Sequence, residues 1–178
     1  MSTFGKISIG ATTENRSDIE YVGTKFTPAT SGTINQINAY IADTYGGGFN
    51  DFSVAIYSVT AGLPDVLLAS VGGISLSNIL SWQTIPITLA ITAGTEYFLC
   101  VWGSLTYTLA YDIGALNQSF DKYFVSYNTW DSPFSGTNYN QYTREYSIYA
   151  DYTTTAPPAT QATIKGIQSI QGIQTLRF

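Results

Sequence analysis

The sequence predicts an all-β fold: a two-sheet antiparallel β-sandwich of jelly-roll type with an extended C-terminal tail. Three observations carry this. In 178 residues, aromatic side chains reach 15%, with 14 Tyr, 9 Phe and 3 Trp, while charged residues make up only 11%. Strands favour aromatic and β-branched residues; disorder needs high charge, and a coiled coil needs Ala, Glu, Lys and Leu. Apolar and polar residues also alternate in short runs, as they do in strands with one buried face. Finally, turn signals interrupt the runs at Ser31-Gly32, Gly46-Gly47-Gly48, Ala61 to Pro64, Gly72-Gly73, Ala93-Gly94 and Ser135-Gly136. The length suits one domain, and many short strands in one domain make a sandwich, with a closed barrel as the alternative.

Taken in order, strands are expected near residues 4–10, 20–27 and 33–42, the last because Ile37, Ala39 and Ile41 alternate with Asn38 and Tyr40. A strand near 52–59 follows from Phe52, Val54 and Ile56 set between Ser53, Ala55 and Tyr57. Further strands fall near 66–74, 82–89, 96–102, 107–112 and 121–127, between the turn signals. The last, 145–152, alternates Tyr146, Ile148, Ala150 and Tyr152 with Ser147, Tyr149 and Asp151. Residues 128–144 lack alternation and are rich in Pro, Gly and Asn, so they read as a long loop, the kind that often carries function. The domain is expected to end at residue 152, followed by a Thr/Pro-rich linker over 153–160 and a tail over 161–178.

The counts exclude several chemistries. The chain has no His, which removes His-based acid–base catalysis, His-containing nucleophilic sites and His-ligated metals. The single cysteine, Cys100, sits in the strand-like run from Glu96 to Trp102 and is expected to be a buried, inert thiol. Net charge is −5, and the seven basic residues are scattered, so neither nucleic acid nor anionic membrane is expected as a partner. The first ten residues lack the basic and long apolar regions of a signal peptide, which points to synthesis in a cytoplasm. A removed leader, and hence an extracellular or cell-surface protein, is the alternative. No catalytic residue, cofactor or metal is expected.

Two sets of side chains stand out in the body. Tyr127, Trp130, Phe134, Tyr139 and Tyr142 cluster around the long loop. Their expected role is to plug one end of the sandwich or line a subunit contact, and a glycan platform is the functional alternative, with Tyr127, Trp130, Tyr139 and Tyr142 as its rings. Among carboxylates, Asp43 and Asp51 flank the Gly46 turn, and Asp112 and Asp121 bracket another loop. They read as solvated turn residues, with a Ca²⁺ site as the alternative.

The tail is the sharpest pattern. Ile164, Ile167, Ile170, Ile173 and Leu176 recur every third residue, each followed by Lys, Gln or Arg and then by a small residue, until Phe178 ends the chain. A period of three drifts around an α-helix and does not suit a flat strand, but it fits an extended three-fold twist. Self-association through Ile164, Ile167, Ile170, Ile173, Leu176 and Phe178 is expected, with a homotrimer favoured, or docking on another protein.

The order of motifs carries a resemblance. Phe4 to Gly10, Phe26-Thr27-Pro28, Ser31 to Ile34 and Asn38 to Ile41 are followed by Val54 to Tyr57, Gly62-Leu63-Pro64, Leu67 to Ser70 and Trp82 to Ile87. Ala93 to Tyr97, Tyr111-Asp112, Ser132-Pro133-Phe134 and Tyr146 to Ala150 complete the series. Over about residues 4–152 this resembles a family of β-sandwich modules found on bacterial secreted proteins and in phage and prophage structural proteins. The resemblance implies a jelly-roll-like sandwich similar to carbohydrate-binding modules, and it carries no catalytic set. The function expected from these readings is a non-enzymatic phage virion protein, a capsid decoration, head-fibre or tail-appendage subunit, partnered by itself or by other virion proteins. The alternative is a carbohydrate-binding adhesion module that recognises host surface glycans.

Overall fold

The computed structural model describes residues 1–44, 51–123, 125–135 and 137–155. The expected tail contacts, Ile164, Ile167, Ile170, Ile173, Leu176 and Phe178, lie outside the described residues, as does most of the expected linker. The described residues form thirteen strands and no helix long and apolar enough to cross a membrane. The strands are β1 (Ser2–Gly5), β2 (Thr12–Arg16), β3 (Glu20–Phe26), β4 (Gly32–Asp43), β5 (Asp51–Thr60), β6 (Leu63–Ser75) and β7 (Ser81–Ile91). They continue as β8 (Tyr97–Gly103), β9 (Tyr107–Ile113), β10 (Ser119–Tyr123), β11 (Tyr139–Tyr142), β12 (Arg144–Tyr146) and β13 (Ile148–Thr154). All pairings are antiparallel.

Two sheets make the sandwich. The first runs β1-β13-β4-β9-β12, with β7 also on β4 and β2 on β9; the second runs β11-β10-β3-β8-β5-β6. Opposed residues in the register share a face, which fixes what lies between the sheets. Ile37, Ile85, Leu109, Ile148 and Ala150 project from the first sheet and Val22, Val54, Ile56, Leu99 and Val101 from the second, all buried. This is the expected two-sheet core.

The second sheet is covered on its outer face as well. Tyr21, Tyr57, Phe98, Cys100, Trp102 and Phe120 point away from the first sheet and are still buried. Every residue of β8 is therefore buried, so Tyr97–Gly103 reads as a continuous apolar run rather than an alternating one. Gly23 belongs to this layer, where a Cβ would lie 2.6 Å from both Cys100 Sγ and the Phe120 ring. Cys100 is the buried, inert thiol expected, and burial pushes its pKa well up.

The structure corrects several boundaries. The first strand ends at Gly5 rather than residue 10, because Gly5 takes a positive φ of 112° and turns the chain. β2 is new, since Thr-Thr-Glu-Asn-Arg carries no apolar residue to reveal it. The long loop contains β11, which adds to the edge of the second sheet on β10. Strand pairing continues beyond residue 152, with Thr153 and Thr154 opposite Thr33 and Gly32.

Candidate functional site

The loop aromatics are the natural starting point. The segment 125–135 crosses the outer face of the second sheet as a strap. Trp130 packs against Tyr21 at 4.7 Å, Trp102 at 5.4 Å and Tyr57 at 6.4 Å between ring centroids, all edge-on. Tyr127 meets Trp102 at 5.6 Å, and Phe134 meets Phe120 at 5.2 Å and Tyr139 at 5.6 Å. These are favourable edge-to-face geometries, and they use the rings on protein. The strap thus covers a sheet face rather than plugging an end of the sandwich. Tyr142 stands apart, stacked beneath the Arg144 guanidinium at 4.2 Å.

Polar contacts pin the strap. The Tyr57 hydroxyl donates to the Asp131 carbonyl at 2.8 Å, and the Phe134 amide donates to the Asp65 carbonyl at 2.7 Å. Lys122, on the same outer face and 2% exposed, projects into the strap. Its ammonium donates to Ser135 Oγ at 2.6 Å, the Ser135 carbonyl at 2.9 Å and the Thr137 carbonyl, and sits 3.2 Å from Asp131 Oδ2.

Of the candidate carboxylates, Asp43 and Asp121 are buried rather than solvated. Asp121 is fully buried on the sandwich side of β10, where Arg16 Nη1 reaches its Oδ2 at 2.5 Å. Glu14 holds the other side of Arg16 at 2.6 Å and also pairs with Arg144 at 3.2 Å. Tyr146 completes the group, accepting from Arg16 at 2.7 Å and donating to Glu14 at 2.7 Å. Burial pushes the Asp121 carboxyl above its ordinary range while Arg16 and Arg144 pull it back. Burial opposes the Arg16 cation, yet Tyr146, Asp121 and Glu14 hold its pKa above the ordinary value. Asp112 is different: the Ala11 amide donates to it at 2.7 Å and Lys6 pairs with it at 2.6 Å, and these lower its pKa. Among the described residues no three carboxylate or cysteine side chains converge as metal ligands. Gly46-Gly47-Gly48, the turn between Asp43 and Asp51, lies outside them.

A second aromatic cluster lies on the outer face of the first sheet. Tyr40 and Trp82 are opposed across β4 and β7, with ring centroids 5.4 Å apart, and Trp82 meets Tyr149 of β13 at 5.0 Å. All three are half-buried and alternate with inward residues: Tyr40 lies between Ala39 and Ile41, and Tyr149 between Ile148 and Ala150. A polar fringe continues the same face. Asp151 Oδ2 accepts from Gln36 Nε2 at 2.6 Å and Asn38 Nδ2 at 2.9 Å, and Thr84 donates to Asn38 Oδ1 at 2.6 Å. Burial, and then Asp151, push the Tyr149 phenol above its ordinary range, so its hydroxyl keeps its proton at neutral pH. The signal was present in the sequence as the outward half of each alternating pair, at Asn38, Tyr40, Tyr149 and Asp151.

No protein-family model matches the chain, and no curated protein is similar to it at a significant level. Among solved structures, the chain is similar to a carbohydrate-binding module of lichenase 5A from Cellvibrio mixtus, determined in complex with cellotriose. Identity is 15%, the match covers 60% of this chain and 91% of the module, and the TM-score is 0.34.

Proposed function

We propose that this protein is a non-enzymatic carbohydrate-binding module that holds a glycan on the outer face of its first sheet. The observation that supports this is the Tyr40–Trp82–Tyr149 cluster bordered by Gln36, Thr84 and Asp151. A sugar ring has an apolar C–H face and a rim of hydroxyls. Half-exposed aromatic rings take the first, and side-chain amides and carboxylates take the second. Tyr127 and Trp130 pack against the buried Trp102 ring and Tyr139 of β11 against Phe134, which supports a site on the first sheet over one on the loop.

Two variants separate the surfaces. Trp82→Ala is expected to leave folding intact and weaken retention on a glycan array by at least about tenfold, as removal of a central Trp from a binding surface does. Trp130→Ala is expected to cost about 2–4 kcal/mol of stability, somewhat below the range for a fully buried Trp, and to spare binding while the protein is folded. Circular dichroism, denaturant titration and the array read both. Binding lost with Trp130→Ala in the folded protein, and kept with Trp82→Ala, would move the site to the strap.

The Ile triplet repeat supports a second element of the reading, that the module is carried on an assembled structure such as a virion appendage. Changing Ile167, Ile170 and Ile173 to Asp is expected to abolish self-association in light scattering of the full chain. A wild-type chain that is monomeric, and that no virion protein captures, would exclude it.

A further inference from the structure

We infer that the platform selects neutral, hydroxyl-bearing sugars and rejects uronic, sialylated and sulfated ones. This rests on the glycan-binding reading above and adds the chemical class of the ligand.

Two independent observations converge on it. The first is the state of the cations. Residues 1–155 contain five basic side chains, and each is held by a carboxylate of the same chain. Lys6 pairs with Asp112 at 2.6 Å, Arg16 with Asp121 at 2.5 Å and Lys25 with Glu96 at 3.2 Å. Lys122 pairs with Asp131 at 3.2 Å and Arg144 with Glu14 at 3.2 Å. Recognition of a sugar carboxylate or sulfate depends on an Arg or Lys that can form a charge-assisted pair with it. Among the described residues no such cation borders the rings.

The second is the polarity of the fringe. One N–H of each amide beside the rings is given to Asp151 Oδ2, and the Thr84 hydroxyl proton is given to Asn38. Beside the second N–H of the Gln36 amide and the ring N–H and O–H groups, the fringe offers a ligand acceptor capacity. Asp151 Oδ1 has no donor among the described residues, and Gln36 Oε1 and the lone pairs of Thr84 Oγ1 are likewise free. Asp151 is partly exposed and sits on the same face as Tyr149, two residues along β13. A carboxylate that accepts from neutral hydroxyls forms hydrogen bonds about twice as strong as neutral pairs. The same carboxylate repels a glycan anion, and no nearby cation offsets it. The three rings meet edge-on, at 5.0 and 5.4 Å between centroids, so a sugar's flat face stacks on one ring face at a time.

The test uses the full chain, its Trp82→Ala variant and its Asp151→Asn variant on a printed array spanning neutral, uronic, sialylated and sulfated glycans, at about 20 mM salt where charge effects are least screened. Only Trp82-dependent signal counts, which removes any contribution from Lys165 and Arg177 in the tail. Trp82-dependent binding to neutral glycans alone, weakened about tenfold in Asp151→Asn with an unchanged circular dichroism spectrum, is the expected result. Trp82-dependent binding that is as strong or stronger on acidic glycans overturns the selectivity and leaves the glycan-binding reading standing. Neutral binding that Asp151→Asn leaves unchanged overturns the role given to the carboxylate. An array with no Trp82-dependent signal overturns the glycan-binding reading itself.

Discussion

Asp121→Ala is expected to destabilise the domain by about 3–5 kcal/mol, the cost of leaving a buried charge without its partner. Arg16 is 8% exposed and has its shortest ion pair with Asp121, so water replaces that carboxylate poorly when it is removed. Glu14 and a longer contact to Glu20 at 3.5 Å remain, but Glu14 is shared with Arg144 and with the Tyr146 hydroxyl. A folded domain of this size is stable by only about 5–15 kcal/mol, so the variant is expected to be partly unfolded at physiological temperature. The pair is costly to break, not strongly stabilising in itself, and a double variant shows the difference. Arg16→Met with Asp121→Leu removes both charges, leaves Glu14 to Arg144, and is expected to cost less than Asp121→Ala alone. Denaturant titration of the two variants measures this. A double variant as damaged as the sum of its parts would mean that the ions themselves hold β2 against β10.

The sandwich was legible because its core strands obey a period of two. Ile37, Ala39 and Ile41 point inward, and Ile148 and Ala150 meet them from β13. Legibility failed where that period carries no hydrophobic contrast. In β2, the inward residue that matters is Arg16, a cation buried by ion pairs that hydropathy does not register. In β11, Tyr-Asn-Gln-Tyr has the composition of a loop, and its strand character comes from pairing with β10 on one side only. β8 posed the reverse problem, since burial on both faces erases alternation and hides the strap that causes it.

The same reasoning bears on the two aromatic clusters. A long loop rich in aromatics invites a functional reading, yet aromatics brought together by a loop also bury well against a flat sheet. Trp130 lies close to three buried rings, which is the behaviour of a core residue delivered by a loop. Tyr40, Trp82 and Tyr149 are far apart in sequence and become neighbours only through the order β7-β4-β13. Sequence shows that Tyr40 and Tyr149 point outward, and only the topology shows that they meet Trp82.

The strap yields the second large effect. Lys122→Met is expected to destabilise the protein by about 3–5 kcal/mol and to do so locally first. The ammonium is enclosed by oxygens of the strap: the Asp131 carboxylate, the Ser135 hydroxyl and the carbonyls of Ser135 and Thr137. Hydrogen bonds to a charged group contribute roughly 1.5–3 kcal/mol each, so a side chain of similar length without the charge forfeits most of the attachment. The Phe134 ring, 5.1 Å from the ammonium, also loses its cation. What lies beneath supplies the readout. Cys100 is on the covered face, with its pKa pushed up by burial, so the native thiol is expected to resist alkylation. In Lys122→Met the strap opens more often, and thiol modification is expected to speed up by at least tenfold at denaturant concentrations too low to unfold the sandwich. Trp130 fluorescence would report the same opening, because its packing on Tyr21 and Trp102 is lost with it. A variant that loses less than about 1 kcal/mol and keeps the wild-type alkylation rate would show that apolar contact alone holds the strap, since 1 kcal/mol lies below the range of even one such hydrogen bond.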